Sequence, residues 1–147
     1  MGFNPPDPHM HPVNLPSNNE SPVEPRSVPQ YQVMIVDDDV DLLRTMVALV
    51  GSWGLSVVSF AKFEAARAQL LAGVEADALL VDVRIGSFNG LHLLYLARDL
   101  HPTMTLVAMT GFDDPVLRLD AQKAGATFLL KPVRPAALQR MLLNETR

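Results

Sequence analysis

Four short apolar runs in this chain each end in a residue able to do chemistry. Val33 to Val36 runs into Asp37-Asp38-Asp39, Ala78 to Val81 into Asp82, Met104 to Met109 into Thr110-Gly111, and Ala126 to Leu130 into Lys131-Pro132. Runs of this length suit strands buried on both faces of a sheet. If they are neighbouring parallel strands, carboxylates, a hydroxyl and an ammonium gather at one sheet edge, where open α/β sheets bind their ligands. Carboxylates crowded there repel one another, and a divalent cation relieves the repulsion. Magnesium takes oxygen ligands, keeps several waters, and completes its shell with one or two carboxylates and phosphate oxygens. The chemistry such a cluster could do is phosphoryl transfer, which needs positioning and charge neutralisation more than covalent help.

The elements that would hold these residues alternate along the chain. Tyr31 to Val36 reads as the first strand. From Val40 the spacing turns helical, with Leu43, Met46, Val47 and Val50 on one stripe and Gly51 and Gly54 closing the helix. Asp39 is the start of that helix. Leu55 to Phe60 is a second strand, and Phe63, Ala66 and Leu70 mark the inner face of a second helix ended by Gly73. Asp77 to Asp82 is the third strand, followed by a turn-rich loop from Arg84 to Gly90, then a helix from Leu91 to Leu100 stopped by His101-Pro102. After the strand Met104 to Met109, Asp114-Pro115 is a capped helix start. That helix ends at Gly125, Ala126 to Leu130 is the fifth strand, and Pro135 opens a last helix carrying Leu138, Met141 and Leu142. Five βα units with short loops imply a parallel sheet covered by helices on both faces. Met34, Met46, Met104, Met109, Met141 and Trp53 read as packing residues, and His92 and His101 as solvent-facing ones.

Length and composition fit one domain. At 147 residues the chain is large enough to bury a core. A net charge of -4 gives no basic face for nucleic acid, and the absence of cysteine removes disulfide and thiol chemistry, in keeping with a cytoplasmic setting. No uninterrupted apolar stretch reaches membrane-spanning length, and no apolar signal core is evident. Residues 1–30 hold eight of the twelve prolines and little apolar periodicity, so they read as a flexible tail whose burial would not offset the entropy of ordering. His9 and His11 are then solvated side chains of that tail rather than a metal site.

The order Asp-Asp, Asp, Thr and Lys-Pro, each after an apolar strand, resembles the receiver domain of bacterial two-component response regulators, over Tyr31 to about Asn144 within a domain of residues 31–147. The resemblance implies a doubly wound, flavodoxin-like α/β fold with strand order 2-1-3-4-5. It implies that Asp82 is the phosphoacceptor, receiving its phosphoryl group from a histidine kinase or histidine phosphotransfer protein. Mg2+ would be held by Asp38, Asp82 and the carbonyl of Arg84, with Asp37 acting through water. Lys131 would supply the second positive charge. Thr110 and the aromatic Phe128 would form the switch that alters the face made by helix four, strand five and helix five. Lacking a hydroxyl, Phe128 should switch by packing alone. The downstream target is a protein the sequence does not name, dimerisation on phosphorylation is left open, and catalysis is confined to the chain's own phosphorylation and dephosphorylation.

Two departures stand out. Gly86 replaces a proline common four residues after the phosphoacceptor, which should loosen that loop. Arg84 and Phe112 occupy the positions that tune dephosphorylation, and Phe112 could shield the acyl phosphate and lengthen its life. A receiver standing alone is the leading expectation, because the chain stops after the last helix. The alternatives are the receiver part of a DNA-binding regulator and a pseudo-receiver that works without phosphorylation. An aspartyl phosphatase would want an aspartate where Arg84 stands.

Overall fold

The computed structural model describes Gly2 and residues 31–144; the proline-rich segment up to residue 30, with His9 and His11, lies otherwise outside the described residues. Five parallel strands form the sheet: β1 (Gln32–Val36), β2 (Ser56–Phe60), β3 (Ala78–Asp82), β4 (Thr105–Thr110) and β5 (Thr127–Leu130), in the order β2-β1-β3-β4-β5. The order is the expected one, and the ends agree with the sequence reading to within a residue. In the register Val36 pairs with Phe60 and Val81, Asp82 with Met109, and Thr110 with Leu130. The carboxyl ends of all five strands therefore finish at one edge.

The pleat sends alternate residues to opposite faces. Val33, Ile35, Ala78, Leu80, Val107 and Met109 pack beneath α1 (Val40–Ser52) and α5 (Pro135–Asn144), which contribute Leu43, Met46, Val50, Leu138 and Leu142. Met34, Val36, Leu79, Val81, Leu106 and Ala108 pack on the other face beneath α2 (Phe63–Leu71), α3 (Leu91–Leu100) and α4 (Pro115–Lys123). The expected methionines all join these layers, Met141 only partly buried.

Local signals explain the helix ends. The Asp39 carboxylate accepts the Leu42 N–H at the start of α1, and the Asp114 carboxylate accepts the Val116 N–H ahead of Pro115 in α4. Trp53 caps α1, so Gly51 lies inside the helix and only Gly54 follows it, at φ +82°.

Two expectations need correction. His101 does not face solvent: it is half-buried, and its Nε2 lies 3.2 Å from the Leu70 carbonyl oxygen, because α3 ends where the chain crosses the end of α2. The segment after β3 is not plain loop either. Arg84–Ile85 and Phe88–Asn89 pair as a two-residue antiparallel ribbon, and the Phe88 ring stacks on Phe63 at 4.6 Å between centroids and 7° between planes. His92 is exposed, as expected. Among the described residues no helix is long and apolar enough to cross a membrane.

Candidate functional site

Strand ends build the site. β1 delivers Asp37, fully buried, with Asp38 next to it and exposed. β3 delivers Asp82, β4 delivers buried Thr110, and the residue after β5 is Lys131. Hydrogen bonding continues one residue past the strands: the Asp37 N–H donates to Phe60 O, Val83 N–H to Met109 O, and Lys131 N–H to Thr110 O. The three chain ends that carry Asp37, Asp82 and Lys131 are therefore held by backbone.

Lys131 joins two of the acids. Its Nζ lies 2.8 Å from Oδ2 of Asp37 and 3.3 Å from Oδ2 of Asp82. Asp37, Asp38 and Asp82 each present a carboxylate oxygen, and these oxygens lie within 4.8 Å of one another. Three carboxylates face one ammonium, so negative charge is in excess. Burial pushes the Asp82 carboxyl above its ordinary value, and the Asp37 charge adds to this, while Lys131 and the Arg84 N–H only partly offset it. Burial opposes the Lys131 charge too, but the hydrogen bond and charge of Asp37, with the charge of Asp82, outweigh it and raise the ammonium. An all-oxygen set with uncompensated charge fits a hard divalent cation.

The remaining contacts fix these groups in place. Asp37 Oδ1 accepts the Asp39 N–H at 3.0 Å, and Asp82 Oδ1 accepts the Arg84 N–H at 3.2 Å. Asp38 Oδ2 accepts the Gly86 N–H at 2.8 Å, so the loop expected to be loosened by Gly86 is tied to the acid pair through it. Gly86 sits at φ +59°, a conformation that glycine adopts freely. Thr110 Oγ1 accepts the Phe112 N–H at 3.2 Å. Phe112 is 56% exposed, with the Arg84 guanidinium 4.3 Å from its ring centroid, at the mouth of the site. Phe128 lies further along β5, half-buried.

Asp37, Asp38, Asp82 and Lys131 are thus brought together, Thr110, Arg84 and Phe112 border them, and Phe128 stands away. Gly90 escaped the sequence reading as more than a turn former. Its N–H donates to Val83 O at 2.7 Å, and a Cβ there would lie 2.1 Å from the Asp82 carbonyl oxygen and 2.7 Å from Val81 Cγ1. The Asn89-Gly90 pair was a signal, but it could not say which backbone the glycine would meet.

Residues 33–143 match the response regulator receiver domain model. The chain belongs to the response regulator receiver family. Receivers are signalling domains that act between histidine kinases and downstream effectors, and phosphorylation and magnesium are typical of them. The transcriptional regulatory protein FixJ of Azorhizobium caulinodans is 38% identical over 119 residues, covering 78% of this chain and 53% of FixJ. The receiver spans from about a quarter to about half the length of the curated transcriptional regulators it matches. A CheY-like receiver from Methanospirillum hungatei superposes with a TM-score of 0.74 at 25% identity, over 79% of this chain and 93% of that one. A Burkholderia pseudomallei response regulator, solved with a phosphorylated aspartic acid, a calcium ion and citrate, superposes with a TM-score of 0.68 at 26% identity, covering 76% and 65%.

Proposed function

We propose that Asp82 accepts a phosphoryl group from a phosphohistidine on a histidine kinase or phosphotransfer protein, and that this switches the face made by α4, β5 and α5. The observation that carries this reading is the Lys131 ammonium reaching both Asp37 and Asp82 beside the acid cluster. Asp38, Asp82 and the carbonyl of Arg84 are the residues that would hold Mg2+, with Asp37 acting through water. The metal would neutralise charge on the phosphoryl oxygens during transfer. Asp82 offers its carboxylate oxygen as nucleophile, and Lys131, 3.3 Å from it, supplies a fixed positive charge. Thr110, whose Oγ1 accepts the Phe112 N–H, has its own hydroxyl proton to donate to a phosphoryl oxygen once the side chain moves toward Asp82. Arg84 and Phe112, paired at the mouth, restrict water and so lengthen the life of the acyl phosphate.

A groove of about 460 Å³ beside Lys131, lined by Leu42, Leu49, Val133 and Pro135 among others, supports docking of the phosphodonor protein along α1 and the loop after β5. The receiver acts in the cytoplasm, has no direct contact with nucleic acid, and catalyses only its own phosphorylation and dephosphorylation. The calcium and phosphoaspartate of the Burkholderia regulator support the metal and acceptor assignments. The transcriptional regulators among its relatives favour a second reading of the output, in which the receiver controls a DNA-binding partner or domain.

Intact mass after incubation with Mg2+ and acetyl phosphate, beside Asp82→Asn, tests the proposal. Gain of one phosphoryl group by the parent alone is the expected result. No gain, with no magnesium bound, would favour the phosphorylation-independent interaction module.

A further inference from the structure

The half-buried ring of Phe128 on β5 has a guanidinium over its face: Arg118 Cζ stands 4.7 Å from the ring centroid. Arg118 belongs to α4, and its Nη2 is also 2.7 Å from Oδ1 of Asp113 in the loop that follows Thr110. Thr110 Oγ1 accepts the N–H of Phe112, the residue before Asp113. A connected set of contacts therefore runs from the hydroxyl at the site to the aromatic ring on β5. A phenyl ring has no hydroxyl with which to hold a position. What covers its face then decides where it rests, and a cation is favoured there by the ring quadrupole.

We propose that Arg118 is a positioning residue that latches Phe128 in its resting place, that Asp113 keeps the latch closed, and that drawing Thr110 toward a phosphoryl group on Asp82 opens it. The trigger rests on the phosphoacceptor reading of Asp82 given above. When the Thr110 hydroxyl leaves the Phe112 N–H, the turn carrying Asp113 is released. Arg118 then loses the carboxylate that orients its planar fork, and the ring is uncovered. Arg84 over Phe112 holds the same loop from the β3 side, and the Asp113–Arg118 ion pair holds it from the α4 side. The latch is weak by design of its surroundings, since the Arg118 and Asp113 side chains are 45% and 61% exposed. A contact of this kind shifts a two-state equilibrium by about two- to fivefold, which differential binding of a phosphoryl group can exceed.

The test uses the parent, Arg118→Met, Arg118→Lys and Asp113→Asn, each labelled with 4-fluorophenylalanine, with the Phe128 resonance assigned through Phe128→Leu. Fluorine NMR of the resting proteins is combined with phosphorylation rates from acetyl phosphate and Mg2+. The expected result is a displaced Phe128 resonance in Arg118→Met and Asp113→Asn and phosphorylation about two- to fivefold faster than in the parent, with Arg118→Lys between. A parent that phosphorylates beside variants whose Phe128 resonance does not move overturns the latch alone. Moved resonances with unchanged rates overturn its coupling to the site. A parent that takes no phosphoryl group overturns the proposed function and, with it, the trigger.

Discussion

Asp82 is at odds with its surroundings, and this has a measurable consequence. Its pKa is raised from an ordinary 3.8, chiefly by burial, so the native state disfavours the charged form relative to the unfolded chain. For an acid shifted upward, the destabilisation is absent below the unfolded pKa and fully present above the folded one. Without divalent metal, Asp82→Asn should therefore melt higher than the parent at neutral pH. The difference should shrink as pH falls through the raised pKa toward 3.8, and thermal unfolding across pH measures it. Equal melting temperatures at pH 7 would remove this account of the charge excess. Gly90 makes a second test at this scale, since a methyl there meets the Asp82 carbonyl at 2.1 Å. Gly90→Ala should lose about 1–3 kcal/mol in urea unfolding, by overpacking against backbone. Gly51→Ala, with nothing within 4 Å of its Cβ in the last turn of α1, should be neutral or gain up to about 1 kcal/mol. Similar losses in the two variants would rule out the close approach as the cause.

The ribbon after β3 behaves as an element in its own right. Two residues per strand cannot hold a ribbon by hydrogen bonding alone. The stack of Phe88 on Phe63 and the Gly86 N–H on Asp38 are what pin it to α2 and β1. Phe88→Ala should cost about 0.5–1.5 kcal/mol beyond lost burial and speed amide exchange across residues 84–90, leaving β4 protected. Exchange no faster there than in the parent would show that backbone contacts suffice. The sequence showed the turn formers of this loop but not its anchor, because Phe63 and Phe88 are far apart in the chain and neither lies in a pattern that names the other. His101 was missed for a related reason: its partner is a helix-end carbonyl, a group with no residue-type signature.

At the scale of the whole molecule, the acid cluster should couple metal binding to folding. A ligand bound only by the native state stabilises it by mass action, by about 2.7 kcal/mol at one hundred times its dissociation constant. Magnesium should raise the parent's melting temperature in a concentration-dependent way, and Asp38→Asn should lose most of that rise while folding normally in chelator, because Asp38 is exposed. An unchanged magnesium response in Asp38→Asn would move the cation elsewhere.

The sequence by itself determined the layers, the five βα units and the acids, hydroxyl and ammonium that end the strands. Burial on both faces demands continuous apolar runs, and a polar residue that ends such a run is conspicuous. Tertiary structure alone decided how those groups meet. That Lys131 takes Asp37 as its nearer partner, that Gly90 lies against the Asp82 backbone, and that Arg118 covers Phe128 all depend on crossovers bringing distant segments together. Periodicity reports which face a side chain takes, because it arises within one element. It carries nothing about the partner on another element, which the packing of helix against sheet selects.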